Sequence, residues 1–421
     1  MAGQDWEGDR GPSFWLSQDD YYPAQLLKGR MRADVAVVGG GFTGLWTAIA
    51  LKQGNPRLDV CVLEQEVVGY GASGRNGGFC EPSLTHGYAN GVRHFPDEIE
   101  ELERLGRENF DELLDFVERH RIACELERPG VLELATTPWQ VEELREELRE
   151  RSPRRPELKL LEGDAARARL NSPRVLAALY DPVPALLNPA RLARGLRRVA
   201  EELGVRVWER TPVLQLQPVA GGIEAMTPRG VAGVRRVVLA TNAYSGRLLP
   251  RLRTRFVPVY DYVLVSEPLT RDQRERIGWE GREGASEHSN HFHYFRLTAD
   301  DRLLWGGYDA VYHFGGGGRA AVRPPPQDLR PPSGAVSADV PRPGRPGLHP
   351  PLGRGHRLHH PLHLHLRVGA GRARGVRAGL HRSGGGGHAV RRQCAGGPPL
   401  GARLTPPAVA PGPPTTVPVP A

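Results

Sequence analysis

Regular patterning begins at Asp34, where the β-branched run DVAVV leads directly into GGGFTG and then into LWTAIALKQG, whose apolar positions recur at helical spacing. This order predicts a strand, a tight turn and a helix. A second apolar run, Asp59 to Leu63 (DVCVL), ends in Glu64 and predicts the neighbouring strand. Ile99, Leu102, Leu105, Leu113, Phe116 and Val117 then mark one face of a helix over 97–121, with Asp97 placed to cap its start. CELERPGVLELAT predicts two strands around Pro129-Gly130, and PWQVEELREELRER predicts a helix whose charges form a solvated face. Asn188 opens a helix ending near Gly204, VRVWERTPV predicts a strand, and Val237 to Ala243 (VVLATNA) an apolar strand that turns back at Thr241. After FVPVYDYVLVSEPL, the alternating runs HYFRL and RLLWGG, joined by Thr298 to Asp301, predict a hairpin.

The strand–turn–helix at Asp34 gives each glycine of its turn a task. Gly39 permits the turn, Gly41 lets the backbone approach a pyrophosphate, and Gly44 lets the helix pack closely on the strand. The helix start then offers free N–H groups and a positive dipole end to phosphate. Glu64, twenty residues beyond Gly44, can accept both hydroxyl protons of an adenosine ribose. Together these features predict an α/β, Rossmann-like dinucleotide site. A nicotinamide-dependent dehydrogenase would need only this first motif. It leaves a second glycine-rich loop, Gly69 to Phe79 (GYGASGRNGGF), without a role.

The pair GGGFTGLWTA and GASGRNGG resembles the FAD-binding start of the D-amino-acid oxidase and glycine oxidase family of flavoproteins, on the side of its gamma-glutamylputrescine oxidoreductase-like members. The resemblance extends over about residues 30 to 314 and implies FAD as cofactor. It places Ser73, Arg75, Asn76 and Gly77 near the flavin, brings the backbone of Val213 to the adenine, and makes Thr241 the return to the nucleotide-binding sheet. It also implies that Tyr294 and Arg296 hold the substrate's polar end. The activity implied is oxidation of the carbon–nitrogen bond of an amine or amino acid, by hydride transfer to the flavin N5 and hydrolysis of the imine. That chemistry needs no protein nucleophile, and no catalytic triad is expected. The expected organisation is an N-terminal extension (1–30), an FAD-binding domain in two segments (31–95 and 161–250) and an inserted mixed α+β substrate domain (96–160 and 251–314).

Composition changes the picture beyond Gly315. From there to the end the 421-residue chain has no Phe, Trp, Tyr, Ile, Met or Lys, fifteen arginines against two acids, and about half of its 39 prolines. That stretch cannot build a core, and residues 315–421 are expected to be a disordered, non-native tail. The net charge of +8 belongs to this tail, whose +13 leaves the first 314 residues at −5. An arginine- and glycine-rich arm binding nucleic acid is the alternative reading of such a stretch. Codon arithmetic supplies a different one. Read one base out of frame, Val376-Arg377 permits Tyr, His381-Arg382 permits Thr and Gln393-Cys394 permits Asn, and aromatics and helical periodicity return together. The run Gly315 to Gly318 implies a guanine-rich tract where a base is easily lost or gained.

His288, His291 and His293 could suggest a metal, but strand alternation splits them and no carboxylate completes a set in the sequence, so no metal is expected. Four cysteines without CxxC pairing suit a reduced compartment, and no apolar run reaches membrane-spanning length. The expectation is a cytoplasmic enzyme whose partner is a small amine or amino acid, with neither nucleic acid nor membrane as partner.

Overall fold

The computed structural model describes residues 13–253, 255, 260–289 and 292–307, and beyond them only the backbone of three short strands. In chain order the strands are β1 (Gly29–Val38), β2 (Val60–Leu63), β3 (Phe79–Cys80), β4 (Val131–Ala135), β5 (Lys159–Glu162), β6 (Ala177–Asp181), β7 (Ala185–Leu186), β8 (Arg206–Trp208), β9 (Gln215–Val219), β10 (Gly222–Met226), β11 (Gly230–Leu239), β12 (Tyr260–Pro268), β13 (Gly284–Glu287), β14 (His293–Leu297), β15 (Arg302–Gly307), β16 (Leu358–Pro361), β17 (Leu364–Arg367) and β18 (Arg377–Leu380). The helices are α1 (Phe14–Ser17), α2 (Phe42–Gly54), α3 (Tyr88–His94), α4 (Ile99–Arg119), α5 (Pro138–Arg151), α6 (Asp164–Arg167), α7 (Pro189–Glu202), α8 (Ser245–Leu248) and α9 (Arg271–Ile277).

The first sheet is built around β1, which pairs in parallel with β11 on one side and β2 on the other, with β8 parallel outside β2. Val35 and Val37 face α2 and α7, where Leu45, Ala48, Ile49, Leu192 and Leu196 close over them. Ala36 points the other way, against Leu27, Ala225 and Ala232. A strand covered on both faces must be apolar throughout, which is why DVAVV was readable as a strand at all. An antiparallel ribbon of β9 and β10 continues this sheet from β11.

The second sheet has the order β16-β12-β15-β14-β13-β4-β6-β5 and is antiparallel except where β13 runs parallel to β4. One face carries Leu132, Leu134, Ala178, Phe295 and Leu297 into a core completed by Ile277 and Trp279. Alternation sends Tyr294 and Arg296 to the opposite face, which packs against the loop after β2. The ribbon of β3 and β7 lies beneath it, with Phe79 against Gly284 of β13.

Several expectations are corrected. Glu125 to Arg128 form no strand: only a single bridge, Glu127 to Leu186, precedes β4. Asp97 does not cap the long helix, because it lies in a 3-10 turn and the cap residue, Glu98, makes no side-chain bond. The strand expected from VRVWERTPV stops after Trp208, since the chain bends to donate the N–H groups of Arg210 and Thr211 to the carbonyls of Glu66 and Glu64. The boundary expected at 161 falls inside the second sheet. There β6 pairs with β4 from Val131/Asp181 to Ala135/Ala177, so the return to the first sheet begins at α7. The hairpin of β14 and β15 is as expected, and the strand expected over Val237 to Ala243 is found earlier, as β11, which returns to the first sheet parallel to β1 and ends at Leu239.

The tail lies outside the described residues apart from its three strands. Of these, β16 is antiparallel to β12, β17 pairs with β18, and β18 meets β11 in parallel at Leu239/Arg377.

Candidate cofactor and substrate site

The first glycine-rich turn is closely packed against itself and its neighbours. Gly39 has φ of 109°, and a Cβ there would sit 2.5 Å from the Ala240 carbonyl oxygen, just before Thr241. A Cβ on Gly44 would overlap the Gly39 carbonyl oxygen outright, and one on Gly41 would lie 2.9 Å from the Ser73 hydroxyl. Space therefore requires glycine at Gly39 and Gly44, the dihedral angle requires it at Gly39 as well, and a side chain at Gly41 would displace the Ser73 hydroxyl. Thr241 is fixed beside the turn by its hydroxyl, 2.9 Å from that of Ser245. The first N–H of α2, from Phe42, donates to Ser73 Oγ at 2.9 Å. Thr43 and Gly44 follow in the first turn, where N–H groups have no intrahelical acceptor and suit a phosphate.

Glu64 sits where β2 ends and accepts from the Gly40 N–H at 2.6 Å and the Glu66 N–H at 2.9 Å. It is only partly covered, yet desolvation by the surrounding protein pushes its carboxyl up to about 7, against the pull of those two amides. Val213 lies two residues past Thr211, whose N–H donates to the Glu64 carbonyl. The structure thus brings Gly39, Gly41, Gly44, Glu64, Val213 and Thr241 to the carboxyl ends of β1, β2 and β11, the place where open α/β sheets bind ligands.

The second loop docks onto the first through the Gly69 N–H to Gly40 carbonyl bond and through Ser73. Asn76 acts as an internal staple: its amide nitrogen donates to the Ala72 and Ser73 carbonyls and its oxygen accepts from the Gly78 N–H. Arg75 turns inward, donates to the Tyr70 carbonyl at 2.6 Å and lies over the Tyr70 ring. Gly77 is pressed by Tyr294, whose ring edge would lie 2.7 Å from a Cβ at that position. Tyr294 also meets Phe79 edge to face at 5.8 Å. The loop and the second sheet therefore close on each other at Gly77.

Arg296 reaches the same loop by a different route. It is 1 % exposed and donates to the carbonyls of Gly78, Leu187 and Leu297. Burial lowers its pKa to about 10. Sequence reasoning did not find three residues that complete the arrangement: Ser13, Trp15 and Glu209. The Ser13 hydroxyl donates to the Gly74 carbonyl and the Trp15 indole to the Asn76 carbonyl. Glu209, fully buried, accepts from the Tyr21 hydroxyl, the Ala24 and Val68 N–H groups and Arg197. The available signal was the aromatic pair Phe14-Trp15 in an otherwise polar N-terminal stretch.

His288 corrects the expectation that no carboxylate stands near the histidines. Glu133 from β4 and Glu147 from α5 converge with it into a group able to surround a cation. Its two ring nitrogens, however, face Glu133 at 2.6 Å and Glu143 at 3.0 Å, and the Glu133 contact leads in raising its pKa to about 9. A protonated imidazole has no lone pair for a metal, so the group reads as an ion-pair clamp between α5 and the second sheet. His293 pairs instead with Glu287, and His291 lies outside the described residues.

A parallel sheet whose central strand runs through a glycine-rich turn into a helix, joined to a second, mostly antiparallel sheet, has the form of a dinucleotide-binding enzyme fold. The sequence matches the DAO family profile, described as FAD dependent oxidoreductase, over residues 34–346, and the chain belongs to that family. It is 33% identical over 300 residues to gamma-glutamylputrescine oxidoreductase of Escherichia coli (strain K12), covering 69% of this chain and 68% of that protein. To the probable oxidoreductase OrdL of Haemophilus influenzae it is 28% identical over 302 residues, covering 69% and 68%. Among solved structures, glycine oxidase from Geobacillus kaustophilus shares the fold, with a TM-score of 0.59 at 21% identity over 83% of this chain and 89% of that one. The cofactor of the family is FAD, and the residues present fit it. Gly39, Gly41 and Gly44 keep the turn before α2 free of side chains, and the Glu64 carboxyl at the end of β2 is an acceptor of the kind the hydroxyls of an adenosine ribose require.

Proposed function

We propose that the protein oxidises the carbon–nitrogen bond of a small amine or amino acid, bound beside the seam at which Tyr294 of the second sheet meets the loop at Gly77. The observation that carries this reading is the contact of Tyr294 with Gly77, which closes an aromatic wall of Tyr294 and Phe79 over the second loop. The substrate class is supported by the relatives, whose names refer to gamma-glutamylputrescine, dimethylglycine and glycine. Bound FAD supplies the hydride acceptor. Around it, the N–H groups that open α2 hold phosphate and ionised Glu64 accepts ribose hydroxyls. The backbone at Val213 flanks the adenine, and the Tyr294–Phe79 pair keeps water from the reacting carbon. The imine released is hydrolysed by water without a protein nucleophile. Stopped-flow mixing of the oxidised flavoprotein with amines, amino acids and hydroxy acids tests the substrate class: bleaching by amines upholds it, and bleaching by hydroxy acids alone overturns it.

The same proposal places the enzyme in the cytoplasm, with the small substrate rather than nucleic acid or membrane as its partner. Cys61, Cys80 and Cys124 are unpaired, and no helix among the described residues is long and apolar enough to cross a membrane.

It further holds that this chain is an impaired form, with codons read one base out of frame from about Gly315. In the shifted frame the stretch around Arg377–Leu380 becomes an apolar strand containing Tyr and followed by a glycine-rich turn. That stretch is β18, which lies parallel to β11 at Leu239, beside the cofactor turn at Thr241. Resequencing the codons for Gly315 to Gly318, and comparing flavin content with a version repaired by one base, tests this. A confirmed nucleotide sequence with stoichiometric FAD and amine turnover in the unrepaired protein would overturn it.

A further inference from the structure

We propose that residues 13–24 form a strap belonging to the cofactor site, with Trp15 and Arg296 as positioning residues for the loop at 74–78. This rests on the reading of that loop as the flavin-facing one. Three alternate carbonyls of the loop accept from side chains outside it: Gly74 from the Ser13 hydroxyl at 3.0 Å, Asn76 from the Trp15 indole at 2.8 Å, and Gly78 from Arg296 Nη1 at 3.1 Å. All three donors are at most 1 % exposed. Losing Ser13 or Trp15 would leave the Gly74 or Asn76 carbonyl without its donor, the costly way to break a hydrogen bond, whereas the Gly78 carbonyl would keep the Leu187 N–H.

The two larger donors support each other. Arg296 has no carboxylate within ion-pair distance among the described residues, and its guanidinium carbon instead lies 5.8 Å from the Trp15 ring. Its Nη1 also holds the Leu187 carbonyl at 3.0 Å, which ties the loop and the second sheet to the chain entering α7.

The rest of the strap is anchored separately. Asp19 pairs with Arg191 and Arg194 of α7, Gln18 accepts from Asn188, and Tyr21 and Ala24 bond to Glu209. Glu209 also takes the Val68 N–H just before the loop, so the strap is coupled to both ends of the loop. A segment that only closed a core would need the aromatic rings but not polar donors matched to successive loop carbonyls. Together they hold the loop in one shape before cofactor arrives, which lowers the ordering cost of binding.

The full chain and its Trp15→Phe, Ser13→Ala, Arg296→Met and Arg296→Lys variants test the proposal. Trp139→Phe serves as the control for an exposed tryptophan. Hydrogen exchange of the 73–78 amides is read in cofactor-free protein beside that of β1, and FAD dissociation constants come from flavin fluorescence quenching. The expected result for Trp15→Phe is loop exchange faster by about tenfold with β1 unchanged, and FAD bound about tenfold more weakly. Arg296→Lys, which keeps charge and a donor, should retain most of both properties, whereas Arg296→Met should not. Equal loop exchange and equal FAD affinity in Trp15→Phe and the parent would overturn the strap. A loop that loosens in Trp15→Phe, while neither the chain nor its one-base-repaired form binds FAD, would uphold the strap and overturn the cofactor reading instead.

Discussion

The two glycine-rich loops meet at the same site but are held in different ways. The turn from Gly39 to Gly44 is set by close backbone packing: Gly39 takes a positive φ against the Ala240 carbonyl, and Gly44 has no room for a side chain against Gly39. The loop from Gly69 to Gly78 borrows its shape. Its carbonyls are held by Ser13 and Trp15 from the N-terminal strap and by Arg296 from the second sheet, and its hydroxyl at Ser73 caps a helix of the first. The first loop is therefore complete once β1, α2 and the neighbouring strands β2 and β11 pack, whereas the second also needs side chains from the strap and the second sheet. Damage to the first should act through local overlap, and damage to the second through loss of long-range ties.

Gly44→Ala should have the largest effect, because its Cβ overlaps a backbone carbonyl that cannot move without unpairing β1. About 3 kcal/mol of stability should be lost, together with FAD binding, as read by denaturant unfolding and cofactor titration. Intact FAD affinity in that variant would show that the turn is not set by that packing.

Glu64→Ala should weaken FAD by about 1 to 3 kcal/mol, as for a charged acceptor lost from two hydroxyls. The same residue predicts a pH dependence of two signs. Its carboxyl titrates at about 7 in the folded protein instead of near 4.5, so its contribution to apoprotein stability is complete below 4.5 and is lost as pH rises through about 7. Ribose hydroxyls donate to the ionised form, so FAD affinity should rise over the same interval. Glu64→Gln should flatten both curves, and an unchanged titration in that variant would remove Glu64 from the site.

Ser73→Ala tests the tie between the loops. Removing the acceptor of the Phe42 N–H should cost about 1 kcal/mol, in keeping with a lost helix cap, and should loosen the second loop more than the first in hydrogen exchange. Equal loosening of both would erase the distinction drawn between them.

The smallest effect should come from His288, which touches neither loop. With its pKa raised to about 9, the imidazolium clamp on Glu133 and Glu143 stabilises fully below about 6.5 and is lost as pH rises through about 9. His288→Ala should remove under about 1 kcal/mol at neutral pH and leave FAD affinity unchanged. A change in cofactor affinity there would connect the outer side of the second sheet to the site.

Much of this arrangement was legible along the chain because its signature there is local. DVAVV announces a strand buried on both faces, the spacing of Gly39, Gly41 and Gly44 announces a turn with no room for Cβ atoms, and the alternation of HYFRL and RLLWGG announces a hairpin. Glu64 could be placed by counting from Gly44. These features survive in one dimension because each leaves a local period or spacing in the chain, even where its packing partner is distant, as Ala240 is from Gly39. The tertiary structure alone decided the rest. It turned Arg296 from an expected substrate contact toward three carbonyls, moved β6 into the second sheet, drew Glu133 and Glu147 to His288, and laid Trp15 against Asn76. Apart from the bond of Arg296 to its neighbour Leu297, each of those outcomes joins groups more than forty residues apart, and partners at that separation leave no period, spacing or composition in the sequence that could announce them.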